Sequence, residues 1–355
     1  MTREDHYPSV TGRLLRLFRR GRLGEIASVE VEPEYGYVVK IVYRNGAVRV
    51  TKGADVGLNS SAAYELANDK AYTKFFLERA GFSCPRGGAF LLPWWADDIR
   101  PRLVARGFDA MTDTRSLPEY VRTRLGFPVY LKPGDSARGL GVWLCHDEKA
   151  IARVLDEYAR QRVKIALVEE VVTLPDYRLV VLDGRLVLAY SRTPLSVTGD
   201  GTASIEELTA ALRSRLEAEG REIRWDLHHE RVQARLLRDG WKPADVPRPG
   251  EMVTLLDISN LSAGGSVQDL SDRVAPRWRE LAVEAAGSLG LAFCGVDLAC
   301  ADLTDPSGDY VIFEVNATPG FEHFVALGPA QEAVVDDLYA TIFNTPPGGM
   351  ERAGE

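Results

Sequence analysis

Glu314 and Asn316 stand two residues apart at the end of an apolar run, residues 310–315, and that spacing in a strand points both side chains to one face. A second short apolar run, Gly295-Val296-Asp297-Leu298, places Asp297 where an adjacent strand would bring a third oxygen to the same point. Hard oxygen ligands of this kind suit Mg²⁺, which takes one or two carboxylates and completes its shell with water and nucleotide phosphates. In a plainer reading, Glu314 and Asn316 end an edge strand and Asn316 opens the turn that Pro319-Gly320 completes. This segment alone leaves both readings open.

A second chemical segment lies earlier, from Phe127-Pro128-Val129-Tyr130-Leu131-Lys132 into Pro133-Gly134 and on through Gly139 to Gly141. A strand ends in a lysine and enters a glycine-rich loop. Glycines let backbone N–H groups approach phosphate oxygens closely, and Lys132 supplies a point charge at the base of the loop. The segment is neither a Walker A sequence nor a dinucleotide fingerprint, and a glycine-rich hairpin with no ligand is the alternative.

The elements that must position these residues are legible in outline. Runs at 27–31, 37–42 and 48–51 alternate as strands do, with the hairpin signal Asn45-Gly46 between the last two. Asn59-Ser60-Ser61 caps a helix over 62–67, and a second helix over 69–80 is stopped by Gly81 and Pro85. Short and long helices are expected at 119–125 and 147–162, and the run 165–169 is an apolar strand turning acidic. Ser204-Ile205-Glu206-Glu207 has the form of a capping box opening a helix to Leu216. An amphipathic helix over 278–289 should pack against the strand that carries Asp297.

Composition narrows the function classes. A chain of 355 residues, 45% apolar, can bury a large core and divide into two or three subdomains. A net charge of −8 with no long basic tract argues against nucleic-acid binding. The basic segment 13–20 reads as an amphipathic helix or mobile arm, with a membrane or partner surface as the minority reading. No run reaches the roughly 18 apolar residues of a membrane span and no signal peptide opens the chain, so a cytoplasmic protein is expected. Cys84, Cys145, Cys294 and Cys300 lack Cys-x-x-Cys spacing and read as free thiols. Adjacent His228 and His229 lack zinc-site spacing. Lysine is scarcer than arginine, so Lys70, Lys74 and Lys132 draw attention as places where a compact ammonium is wanted.

Taken in order, these landmarks resemble the ATP-grasp enzymes, most closely the ATP-grasp module of cyanophycin synthetases and of glutathione-forming ligases of the glutamate-cysteine type. The resemblance runs over roughly residues 55 to 328. It rests on Asn68-Asp69-Lys70 with Thr73-Lys74, the lysine strand and glycine loop, and Val168-Glu169-Glu170-Val171-Val172. It continues through Asp176-Tyr177-Arg178, Ser191-Arg192-Thr193-Pro194, Thr198-Gly199-Asp200-Gly201, Asn260 to Gly265, 295–297 and 314–316.

The resemblance implies an α/β (α+β) fold in which nucleotide binds between a small lid domain and a larger C-terminal domain with an antiparallel sheet. The implied division is a β-rich segment with a basic arm (1–55), an α/β region (56–125), the lid (126–195), the catalytic domain (196–345) and a tail (346–355). It further implies a carboxylate-amine ligase that joins amino acids, or a short peptide and an amino acid, through an acyl phosphate, releasing ADP and phosphate. ATP and Mg²⁺, with Mn²⁺ as an alternative, would be the cofactors, and a homodimer the assembly. Lys70 and Lys132 would hold phosphates beside Gly139 and Gly141, and Glu169, Glu170 and Val172 would line the adenine side, with Asp176 on the ribose. Asp297, Glu314 and Asn316 would be the metal ligands, Arg178 and Arg192 would bind the acyl phosphate or the substrate carboxylate, and Asn260 would donate to the oxyanion of the tetrahedral intermediate. The family often has Gly where Leu174 stands, so the shape of that turn differs here. The glycine loop 134–141 is expected to order over nucleotide. A kinase that stops at phosphoryl transfer, or a nucleotide-binding regulator without turnover, uses the same residues.

Overall fold

The computed structural model describes residues 7–107, 112–135, 140–218, 223, 225–256 and 266–347. Helix α1 (Ser9–Arg19) opens the chain and buries Val10, Leu14 and Leu17. Of the two readings of this basic segment, the helix is the one found, with Arg13 and Arg20 against Asp336. A three-stranded antiparallel meander follows, β1 (Ile26–Val31), β2 (Val38–Tyr43) and β3 (Val48–Lys52). Its second turn is the Asn45-Gly46 hairpin: Gly46 has φ +85, and Asn45 Oδ1 accepts from the Ala47 amide at 2.9 Å.

Helices α2 (Ser61–Asn68) and α3 (Lys70–Arg79) come next, each with a side-chain cap. Ser60 accepts from the Ala63 amide, and Asp69 accepts from the amides of Ala71 and Tyr72. Asn59 has another task. Its side chain donates to the carbonyls of Phe293 and Ala317 at 2.7 and 3.2 Å and accepts from the amides of Ala292 and Phe293, both at 3.0 Å.

A four-stranded sheet is built from β4 (Gly87–Leu91), β5 (Val129–Pro133), β6 (Trp143–Cys145) and β7 (Ile165–Glu170), in the order β4-β7-β5-β6. Between β4 and β5 lie α4 (Pro93–Val104) and α5 (Leu117–Tyr120), and α6 (Glu148–Arg160) joins β6 to β7. One face of the sheet, carrying Val129, Leu131, Ala166 and Val168, packs on Ile151 and Tyr158 of α6. Strand pleating turns Tyr130, Lys132, Leu167 and Glu169 to the opposite face, since Tyr130 pairs with Glu169 and Lys132 with Leu167.

The larger sheet uses β8 (Asp176–Leu182) and β9 (Arg185–Thr193). After an insert come β12 (Ser266–Asp269), β13 (Phe293–Cys300) and β14 (Tyr310–Asn316), with the antiparallel order β12-β9-β8-β13-β14. The insert holds β10 (Ser196–Thr198), α7 (Ile205–Ala218), α8 (Glu230–Arg238) and β11 (Met252–Thr254) around its own core of Val197, Ile205, Leu216, Trp225 and Val253. The expected capping box is present: Glu207 accepts from the Ser204 amide at 2.8 Å, and Ser204 Oγ accepts from the Glu207 amide at 3.2 Å. Strand pairing departs from the expected division at two points. Strands β8 and β9 fall before residue 195 yet pair within the larger sheet, and β4 falls in 56–125 yet pairs with β7.

Helix α9 (Pro276–Ser288) covers one face of the larger sheet together with α2 and α3, through Trp278, Leu281, Ala63 and Leu77. At one end of the other face, Val180, Leu182, Leu188 and Phe293 pack on α1, the meander and α11 (Pro329–Asn344), which follows the short α10 (Glu322–Val325). The remaining end of that face is charged. No described helix is long and apolar enough to cross a membrane.

Because Asn59, just before α2, satisfies backbone groups at the start of β13 and just after β14, Asn59→Ala should lower unfolding free energy by about 2–4 kcal/mol. The urea midpoint should fall without a change in slope.

Candidate active site

The site grows from strand register. Asp297 on β13 stands opposite Arg178 on β8 and Glu314 on β14, and Asp176 on β8 stands opposite Arg192 on β9. Cross-strand partners share a face, so all five side chains emerge together. The Arg178 fork grips Asp297, with Nη2 donating to Oδ2 at 2.9 Å and Nε to Oδ1. Arg192 Nη2 bridges Asp176 Oδ1 at 2.7 Å and Asp297 Oδ2 at 3.0 Å. Asn316 Nδ2 donates to Asp297 Oδ2 at 3.3 Å.

Gly295 makes this possible. A Cβ there would lie 2.7 Å from Arg178 Cδ and 3.0 Å from Pro319 Cβ, so any side chain would push the guanidinium off Asp297.

Burial works against the charge on Asp297, but the guanidiniums of Arg178 and Arg192 outweigh it and hold the carboxyl below its usual range. Asp176 goes the other way: burial, aided by repulsion from Asp297, lifts it from 3.8 to about 6 despite Arg192. Arg192 Nε is buried with no hydrogen-bond partner.

Lysines complete the site from two other elements. Lys70, at the first turn of α3, lies 3.4 Å from Glu314 Oε1, and its amide donates to the carbonyl of Gly134 at 2.9 Å. Lys132 Nζ on β5 meets Glu169 Oε2 at 2.6 Å and lies 5.9 Å from the centroid of the Phe313 ring. Lys74 stands 3.7 Å from Glu169 Oε1. The four-stranded sheet, α3 and β14 thus converge on a crevice lined by Lys70, Lys74, Glu169, Phe313 and Glu314.

Most residues singled out from the sequence are brought together here. Lys70, Lys132, Arg178, Arg192, Asp176, Asp297, Glu314 and Asn316 lie on the facing surfaces. Glu169 has different surroundings from those expected on the adenine side: it is 1% exposed and is the shared counter-ion of Lys132 and Lys74. Glu170 pairs with Arg86 at 2.6 Å, and Val172 lies half-buried in the link between β7 and β8. Gly141, at φ +71, closes the loop against Pro133 and accepts from the Tyr158 hydroxyl. Asn260 and Gly139 lie outside the described residues.

Two contributors have roles that sequence does not reveal. One is Lys74, whose partner Glu169 comes from a distant strand; the other is Phe313. Phe313 is skipped in the register, since Asp297 pairs with Glu314 and Leu298 with Ile312. That bulge turns Ile312 to the core while Glu314 keeps the charged face and Phe313 approaches Lys132. Nothing in simple alternation announces it.

The donor set is of the kind a hard divalent cation takes: two carboxylates on register-paired residues plus an amide oxygen. Among the described residues no three His, Cys, Asp or Glu side chains cluster as a preformed metal cage.

The Asp176 shift has a signed consequence. Between its ordinary value of 3.8 and about 6, the folded chain keeps a proton that the unfolded chain has lost. Its contribution to stability is therefore full below the unfolded value and is lost as pH rises through 6. Asp176→Asn removes this titration, so the stability of the variant relative to the native chain should rise by about 3 kcal/mol from below pH 4 to pH 7. Urea midpoints at both pH values provide the check.

No family model matches the chain. It is 32% identical over 276 residues to a cyanophycin synthetase of Geminocystis herdmanii, covering 74% of this chain and 28% of that protein. It is 26% identical over 303 residues to a bifunctional glutathione-biosynthesis protein of Mannheimia succiniciproducens, covering 82% and 37%. The chain thus spans between a quarter and two fifths of the length of these relatives. In structure it is similar to a bifunctional glutathione synthetase of Pasteurella multocida, with a TM-score of 0.57 at 20% identity over 95% of this chain and 45% of that one, a likeness of fold. Sequence and fold together make the chain a member of the ATP-grasp family, related to cyanophycin synthetases and bifunctional glutathione-biosynthesis proteins.

Proposed function

We propose that the chain is an ATP-dependent carboxylate-amine ligase that joins amino acids, or a short peptide and an amino acid, and releases ADP and phosphate. The observation that carries this reading is the charged face, where Asp297 is gripped by Arg178 and Arg192 beside Glu314, opposite the lysines of α3 and β5.

A carboxylate is a poor acyl donor because oxide is a poor leaving group. In the proposed reaction a carboxylate oxygen bonds to the γ-phosphorus as the bond to the β-phosphate oxygen breaks, and ADP leaves. The amine nitrogen then bonds to the acyl carbon, the carbon–oxygen bond breaks, phosphate leaves, and the nitrogen gives up a proton.

Lys70 and Lys132 bind the phosphates as point charges. Asp297, Glu314 and Asn316 would hold a divalent cation, whose contribution is to neutralise phosphate charge. Arg192, with its unpartnered Nε, and Arg178 bind the carboxylate or the acyl phosphate; planar forks suit either anion. The four-stranded sheet, facing the charged strands across the crevice, shields the acyl phosphate from water. Kinship with cyanophycin synthetases and glutathione-biosynthesis proteins supports amino-acid or peptide substrates.

The test is phosphate release from ATP and Mg²⁺ against pooled amino acids, with mass spectrometry of products and Glu314→Ala as the control. Amine-dependent release with a product one water lighter than its parts is expected, and the variant should lose about 100-fold or more in rate. A phosphorylated acceptor with no condensation product would instead make the chain a kinase.

A further inference from the structure

Lys74 stands one helical turn after Lys70 on the inner face of α3, buried, and no step of the proposed reaction uses it. Its ammonium donates to the Pro85 carbonyl and lies 3.2 Å from Glu78 Oε1 and 3.7 Å from Glu169 Oε1. Three acceptors thus surround a group with three N–H donors, and none is left over for a ligand. Glu169 ties this helix to the four-stranded sheet. Its Oε2 takes Lys132 of β5 at 2.6 Å, while its Oε1 faces Lys74. Cys84 lines the same crevice, but burial pushes its thiol up to about 12, so it stays protonated and does not compete for either ammonium.

We propose that Lys74 is a positioning residue for nucleotide binding, the standby cation that keeps Glu169 paired while Lys132 turns to a phosphate. This role rests on the nucleotide reading of the crevice proposed above. A carboxylate as buried as Glu169 is costly to strand, because removing its cation leaves an uncompensated charge away from water. Without Lys74, a departing Lys132 would do that, so Glu169 would hold Lys132 back and compete with the phosphate for it. With Lys74 in place, the carboxylate passes from one ammonium to the other and Lys132 is released. A flexible stem with a compact charge suits Lys132 to that exchange better than a planar guanidinium fork would.

Calorimetric titration of ATP with Mg²⁺ into the native chain, Lys74→Met, Glu169→Gln and the double variant closes a thermodynamic cycle. Lys74→Met should bind ATP about tenfold or more weakly. Adding Glu169→Gln should restore affinity to within about threefold of native, since no carboxylate then detains Lys132, a rescue that a merely structural role for Lys74 would not give. Lys74→Gln keeps an N–H donor for the Pro85 carbonyl; it should repeat the loss and keeps the test valid if Lys74→Met folds poorly. Glu78→Gln, on the half-exposed partner of the same ammonium, should leave affinity unchanged. Undiminished affinity in both Lys74 variants would overturn the proposal, and so would a loss that Glu169→Gln leaves uncorrected or that Glu78→Gln reproduces. A native chain that binds no ATP would remove the nucleotide reading itself, whereas native binding with unaffected Lys74 variants would remove only the role of Lys74.

Discussion

The carboxylate of Asp297 is the point on which the site depends. It is 3% exposed, and an isolated carboxylate there would cost several kcal/mol in desolvation. Two guanidiniums offset that cost, and both must come from strands of the same sheet on the same face. The register therefore has to place Arg178 directly opposite on β8 and Arg192 one strand further on β9. It also requires Gly295, because a Cβ beside Asp297 would occupy the space of the Arg178 side chain. The other face of the same strands is apolar and sealed by α9, which fixes the pleat and so the direction of every charged group.

The same economy governs the opposing surface. Lys132 and Lys74 share Glu169, and Lys70 leans toward Glu314, so each cation has a carboxylate partner. Paired charges of this sort cost less to bury than lone ones, and a polyanion entering the crevice exchanges one set of partners for another instead of meeting bare charges. Asp176, pushed up by burial, and Asp297, held down by its arginines, show how two carboxyls a few ångströms apart are given different protonation behaviour by their surroundings.

Much of this was legible in residue order. The capping residue Ser60, the Asn45-Gly46 hairpin and the Ser204–Glu207 box are local signals, and local signals survive into the fold. What escaped depends on distant partners. Glu169 gives no sign in sequence that two lysines from separate elements will claim it. Asn59 looks like a helix cap, but its side chain ties to β13 and to the carbonyl of Ala317. The skipped Phe313 is a property of strand pairing, and the assignment of β8 and β9 to the larger sheet follows from pairing with β13, which no run of residues reveals.

The proposed function makes this paired-charge face a nucleotide site whose affinity depends on a divalent cation. Calorimetric titration of ATP into the native chain, with and without Mg²⁺, and into Glu314→Gln tests it most directly. Binding about tenfold or more tighter with Mg²⁺ is expected in the native chain, and the loss of that advantage in the variant. Equal binding with and without the cation, or an undiminished advantage in Glu314→Gln, would contradict it.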